Sequence, residues 1–161
     1  MSADDPAALT DRLGYTLVKT ALRVRQQYVQ SLSEVGLLPN EHALLSTLKG
    51  RGACHQKELA ARVVLDPGDI IAYLDNLDRA GAVERARDPK DRRRQIVTLT
   101  AAGRRLLARA DAALDVAEAS IFACFDDDER ARFEGRLVRL FRHLNDDAAG
   151  PATTADPGGL A

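Results

Sequence analysis

The sequence has no tryptophan and only 4% aromatic residues, so it offers little on which the bases of a single strand could stack. Its two cysteines, Cys54 and Cys124, stand apart from any paired motif. That excludes a zinc ribbon, makes a disulfide scaffold a poor reading and suits a reducing compartment. Apolar runs stop well short of the ~20 residues a membrane helix needs. The N-terminus, Met1-Ser2-Ala3-Asp4-Asp5-Pro6, lacks the basic-then-apolar order of a signal peptide. A cytoplasmic protein with no membrane partner is expected. There is no bulk charge excess either: 23 Lys and Arg stand against 24 Asp and Glu, which argues against a general nucleic-acid coat but not against a localised basic site. No Ser/His/Asp, Cys/His, phosphate-loop or metal-ligand spacing stands out, and His42, His55 and His143 include no i, i+4 pair. The expectation is a non-enzymatic protein without cofactor or metal.

What is present is a concentrated basic turn. Residues 87–94 read Arg-Asp-Pro-Lys-Asp-Arg-Arg-Arg, between the β-type runs Ala82-Val83-Glu84-Arg85-Ala86 and Gln95-Ile96-Val97-Thr98-Leu99. Asp88-Pro89 supplies the reversal, so the segment reads as a β-hairpin whose tip is built to touch phosphate. From Glu84 to Arg94, Arg85, Arg87, Lys90, Arg92, Arg93 and Arg94 outnumber Glu84, Asp88 and Asp91.

Helical periodicity frames this hairpin. One long helix is expected from Pro6 to about Ser33 through Leu9, Leu13, Leu17, Ala21, Val24 and Tyr28, a second from about Asn40 to Lys49, and a third from about Gln56 to Val64. Gly50 and Gly52 close the second. The fourth has the clearest start: Asp66 as N-cap, Pro67 at the first helical position, and Asp69 near the positive helix end, with Ile70, Leu74 and Leu77 inward and Gly81 closing it. Thr100 caps a fifth helix, and Asp126 to Asp128 open a sixth. The fold class is therefore mainly α with a small β-hairpin wing, a winged helix-turn-helix flanked by long dimerisation helices. Residues 1–35 would form an N-terminal dimerisation helix, 36–100 the DNA-binding region, 101–147 the C-terminal dimerisation helices and 148–161 a disordered tail, within one structural domain. The flanking helices carry more apolar surface than the centre can cover, which points to a homodimer.

The residues resemble the MarR family of bacterial transcriptional regulators over roughly Arg12 to Leu144. The most specific stretch is DPKDRRRQIVTLTAAGRRLL, Asp88 to Leu107, with the tip Asp91-x-Arg93, the strand ending Val97-Thr98-Leu99-Thr100, and Gly103 in the opening turn of the next helix. Gln56-x-Glu58-Leu59-Ala60 and Leu65-Asp66-Pro67-Gly68 also look like the family. The resemblance implies a homodimeric regulator, usually a repressor of a palindromic operator, whose DNA affinity falls when a small aromatic or anionic effector binds between the dimer and DNA-binding regions. Some relatives sense oxidants through cysteine, usually in the first helix, and others sense zinc.

Within this frame Arg93 is the expected minor-groove reader, with Asp91 orienting its guanidinium, and Arg87, Lys90, Arg92 and Arg94 are phosphate candidates. On the fourth helix Gly68, Asp69, Ile71, Ala72, Asp75 and Asn76 are expected to face the major groove. Asp69 would accept from a cytosine amino group, Asn76 would address adenine or phosphate, and Ile71 with Ala72 would touch thymine methyls. Many relatives place Ser, Thr or Arg at several of these positions, so the wing should carry more of the affinity here. His42, facing the first helix, is a ligand candidate with Tyr15, Lys19 and Arg23 as anion partners, and His55 is expected to cap the third helix. Cys54, beside His55 and Lys57, has neighbours able to lower a thiol pKa. The alternatives are a redox-responsive regulator acting through Cys54 and a winged-helix protein-interaction module.

Overall fold

The computed structural model describes residues 12–66 and 68–148, side chains of 146–148 excepted. Helix α1 spans Leu13–Glu34, α2 Pro39–Arg51, α3 Gln56–Arg62, α4 Asp69–Arg79, α5 Ala101–Ile121 and α6 Asp127–Ala148. Strand β1 is Cys54–His55, β2 Val83–Arg87 and β3 Gln95–Leu99, forming an antiparallel sheet in the order β1-β3-β2. The proposed start of the first helix at Pro6, the Pro67 position and the tail after Ala148 lie outside the described residues. The chain divides into two compact units, the first ending at Ile121 and the second starting at Phe122.

The first unit is organised by one leucine-rich core. Leu44, Leu45 and Leu48 of α2, Leu59 of α3, Ile70, Leu74 and Leu77 of α4, Val83 and Val97 of the sheet, and Leu107 of α5 are all essentially inaccessible. Each such side chain contributes on the order of 1.5–3 kcal/mol by leaving water. The expected inward stripe of α4 is thus the observed one. On α1 only Leu32 is buried, while Leu13, Val18, Leu22 and Val29 are exposed.

Polar side chains close the helix ends. Asp66 accepts the Gly68 amide on its carboxylate (2.8 Å) and the Asp69 and Ile70 amides on its carbonyl (3.0 and 3.2 Å), so it caps α4 from just outside the helix, which starts later than expected, at Asp69. Thr100 Oγ1 accepts the Gly103 amide at 2.9 Å and donates to the Gly81 carbonyl at 2.6 Å, so one hydroxyl joins the start of α5 to the end of the α4 turn. A Cβ on Gly103 would lie 2.0 Å from the Ala82 carbonyl oxygen, so only glycine lets α5 approach the base of the hairpin. Glu41, 4% exposed, accepts the Leu38 amide at 2.9 Å and seals α2.

The turn between α3 and α4 departs from the periodicity. Helix α3 ends at Arg62 rather than Val64, because Val64 adopts φ 55° and the Leu65 amide returns to the Ala60 carbonyl at 3.0 Å. A β-branched residue in the left-handed region is strained, and glycine is the usual occupant of such a helix end.

The second unit is described by itself. Asp126 and Glu129 cap α6 reciprocally, the Glu129 amide donating to Asp126 at 2.8 Å and the Asp126 amide to Glu129 at 3.1 Å. Phe125 and Phe133 approach to 5.3 Å between ring centroids, with Phe122 beside both. Leu137, Leu140, Phe141 and Leu144 continue along α6 as an exposed apolar series. Among the described residues no helix is long and apolar enough to cross a membrane.

Two outcomes follow from these local arrangements. Val64→Gly should raise stability by about 1 kcal/mol, as strain relief outweighs the added chain entropy, and a thermal melt checks it; an unchanged or lower Tm would contradict the strain. Between α1 and α5 the Tyr28 hydroxyl donates to Glu118. Burial, then the Glu118 hydrogen bond and charge, push the phenol up to about 12. A raised folded-state pKa means that this stabilisation is complete below the ordinary tyrosine value and is lost as pH rises through about 12. Alkaline absorbance titration should therefore show one late-ionising phenol that Tyr28→Phe removes.

Candidate nucleic-acid interface

The wing is a ladder with a self-bonded tip. Val83 pairs with Leu99, Arg85 with Val97 and Arg87 with Gln95. Beyond the ladder the Asp88 amide donates to the Arg94 carbonyl at 3.0 Å and the Arg94 amide to the Asp91 carbonyl at 2.9 Å. Asp91 does not orient the Arg93 guanidinium as expected. Its carboxylate accepts the Arg93 backbone amide at 3.1 Å instead, so it shapes the turn that presents Arg93. Arg87, Lys90, Arg92, Arg93 and Arg94 are exposed, and among the described residues none of them has an ion-pair partner.

Arg85 behaves differently from the other wing cations. Its Nη2 lies 2.7 Å from Asp75 and 3.1 Å from Asp78, so β2 is tied to the outer face of α4. Partial burial opposes its charge, but the two carboxylates prevail and hold its pKa above the ordinary arginine value. Asp75, expected from sequence to face the major groove, is engaged by this tie, as is Arg85 from the basic count of the hairpin.

At the start of α4, Gly68, Asp69, Ile71 and Ala72 are exposed together, with Ile71 at 47%. Asn76 is exposed as well, and its side chain also links neighbours: its amide donates to the buried Glu41 of α2 at 3.2 Å and its carbonyl accepts from Arg79 at 3.2 Å. Half-buried Tyr73, passed over in the sequence, accepts from the Asn40 side chain at 3.0 Å and adds a second tie between the same helices.

The start of α3 and the residue before it complete the basic surface. A concavity of about 800 Å³ lies between this segment and the wing tip, lined by Lys57, Arg87, Arg92, Arg93 and Arg94 together with His55, Gln56, Asp91 and Gln95. Lys57 was not anticipated as a member. The two-residue strand β1, paired through Cys54 with Val97 and His55 with Ile96, brings it there and is too short to leave a periodic signal. His55 occupies the N-cap position of α3, but its side chain makes no cap hydrogen bond; its Nε2 lies 2.7 Å from the carboxylate of Asp88 instead. Asp88 is 9% exposed and also accepts the Lys90 amide at 2.8 Å. The His55 hydrogen bond and then the Lys90 amide hold the Asp88 carboxyl below its usual range, against the effect of burial.

The sensing candidates have partners of their own. Lys19 Nζ lies 5.4 Å from the Tyr15 ring centroid and Arg23 bonds Gln26 at 3.3 Å, all along α1. His42 is bound to Asp111 of α5 at 2.9 Å, with Lys49 3.6 Å from the same carboxylate. No hydrogen bond or ion pair among the described residues joins His42 to Tyr15, Lys19 or Arg23. Burial, followed by Glu58, pushes the Cys54 thiol up while Arg62 opposes, which speaks against the redox alternative rather than for it.

Comparison with known proteins agrees with this geometry. The MarR family model matches residues 37–94, from α2 to the wing tip. An HTH-type transcriptional repressor of Mycobacterium tuberculosis is 31% identical over 128 residues, covering 80% of this chain and 92% of the relative. The structure of the transcriptional repressor CouR bound to a 23-mer DNA duplex is similar with a TM-score of 0.76 at 29% identity, over 86% of this chain and 99% of that one. A probable transcriptional regulator from Pseudomonas aeruginosa gives 0.71 at 30% identity, over 82% and 98%. With a helix-turn-helix ending in a basic wing and a relative matched over nearly its whole length, the chain belongs to the MarR family of transcriptional regulators.

Proposed function

We propose that the protein is a homodimeric, cytoplasmic repressor that binds a palindromic duplex operator, with the α4 start in the major groove and the wing over the adjacent backbone and minor groove. The observation that carries this reading is the concavity shared by Lys57, Arg87 and Arg92 to Arg94. Guanidinium groups without carboxylate partners are available to phosphate at no cost in broken ion pairs. Arg93, held at the apex by Asp91, is the groove reader, and the other wing cations serve the backbone. Ile71 and Ala72 supply apolar contact to thymine methyls, and Asp69 either accepts from cytosine or complements the helix dipole. The repressor sign draws on the M. tuberculosis relative and on CouR, both named as repressors.

Dimerisation is supported by apolar side chains that the single chain leaves in water: Leu13, Val18 and Leu22 on α1, and Leu137, Phe141 and Leu144 on α6. Two copies of so many exposed apolar groups bury one another with a two-fold axis, which also matches a palindromic site. A small aromatic or anionic effector remains the proposed release signal, with Tyr15 and Lys19 of α1 and the His42–Asp111 pair as its candidate contacts.

Arg93→Ala should weaken binding to duplexes from the DNA upstream of the gene by about 1–3 kcal/mol, roughly fivefold to 150-fold, with an unchanged melting curve and an unchanged dimer. Fluorescence anisotropy titration reads this directly. Wild-type affinity in the variant would remove the wing from the interface.

A further inference from the structure

We propose that His55 is a positioning residue for DNA binding: through Asp88 it sets the angle of the wing tip against the start of α3, so that Lys57 and the tip arginines form one surface. This rests on the wing being the DNA contact, and it adds a residue that touches no base or phosphate itself.

The argument starts from how little holds the tip. Residues 88–94 are joined to each other by the Asp88–Arg94, Arg94–Asp91, Lys90–Asp88 and Arg93–Asp91 bonds, all internal to the turn. Among the described residues, His55 to Asp88 is the one hydrogen bond that links this turn to anything outside the hairpin. The β1–β3 pairing stops at His55 and Ile96, short of the turn, so the ladder alone leaves the tip free to pivot.

The electrostatics of the cations alone favour such a pivot. Arg87, Arg92, Arg93, Arg94 and Lys57 surround the concavity and repel one another, and splaying the tip away from α3 would relieve that repulsion. Asp88 works against it with both carboxylate oxygens engaged, one by His55 at 2.7 Å and one by the Lys90 amide at 2.8 Å. The pair is sheltered, His55 being 24% and Asp88 12% exposed at the side chain, so solvent screens it less than a surface pair. A neutral imidazole that donates from Nε2 serves as well as a charged one, because the requirement is a donor at that distance rather than a cation.

The test is a double-mutant cycle in the full-length protein, read by anisotropy on the tightest-binding duplex tiled from the DNA upstream of the gene. His55→Ala and Asp88→Asn should each weaken binding by about tenfold, the size expected for one charge-assisted hydrogen bond. The double variant should be no worse than either single one, since both break the same link. His55→Gln, which returns a neutral donor at similar reach, should recover most of the affinity; if it binds as weakly as His55→Ala, the positioning role fails. Wild-type affinity in His55→Ala, or losses that multiply in the double variant, would also overturn it. Arg93→Ala measured alongside separates the two readings: if that variant weakens while His55→Ala does not, only the positioning role is lost, whereas if Arg93→Ala also binds normally the wing itself is wrong.

Discussion

Gathering several cations on one short hairpin is the constraint on which the rest of this structure depends. Left alone, Arg85, Arg87, Lys90 and Arg92 to Arg94 would spread apart. The chain counters this with carboxylates placed for separate tasks. Asp75 and Asp78 anchor Arg85 and hence β2 to α4. Asp91 folds the tip through a backbone amide, and Asp88 fixes it to the segment before α3. Of the hairpin cations left unpaired, all but Lys90 line the concavity, so the acids direct the basic character toward one surface rather than cancelling it. This also explains how a chain with a formal net charge of -1 carries a strongly basic site.

The same arrangement divides labour between helix and wing. At its exposed start α4 offers Gly68, Asp69, Ile71 and Ala72, which together provide no cation and no side-chain donor to phosphate. Asn76, one turn further on, gives one of its two amide N–H groups to Glu41. In the proposed complex, discrimination by this helix is mostly apolar contact and exclusion, while attraction to the duplex falls to the hairpin and Lys57. Reading of groove width and backbone geometry gains weight over direct hydrogen bonding to base edges.

Much of the fold was legible because it rests on periodicity and punctuation. Ile70, Leu74 and Leu77 at helical spacing, Asp66 and Thr100 at helix starts, and Gly81 at φ 67° after α4 all appear where residue chemistry places them. What escaped were contacts between residues far apart in sequence. Nothing around His55 announces Asp88 thirty-three positions later, and a capping role looked equally natural for a histidine before a helix. Asn76 and Asp75 looked outward on a helical wheel, which carries no information about Glu41 or Arg85. Val64 ended α3 early for a local reason, a left-handed backbone that its β-branched side chain disfavours. Cys54 misled in a related way: its sequence neighbours are basic, but burial and Glu58 govern its thiol.

The central claim is that phosphate contact by the wing surface dominates the interaction with DNA. It is tested most directly by the salt dependence of duplex affinity for the intact protein. Each phosphate neutralised contributes about -0.9 to the slope of log affinity against log salt. The arrangement predicts a steep negative slope, shallower by about one for each wing cation replaced by alanine and unchanged by Ile71→Ala. A slope near zero in the intact protein would contradict the account.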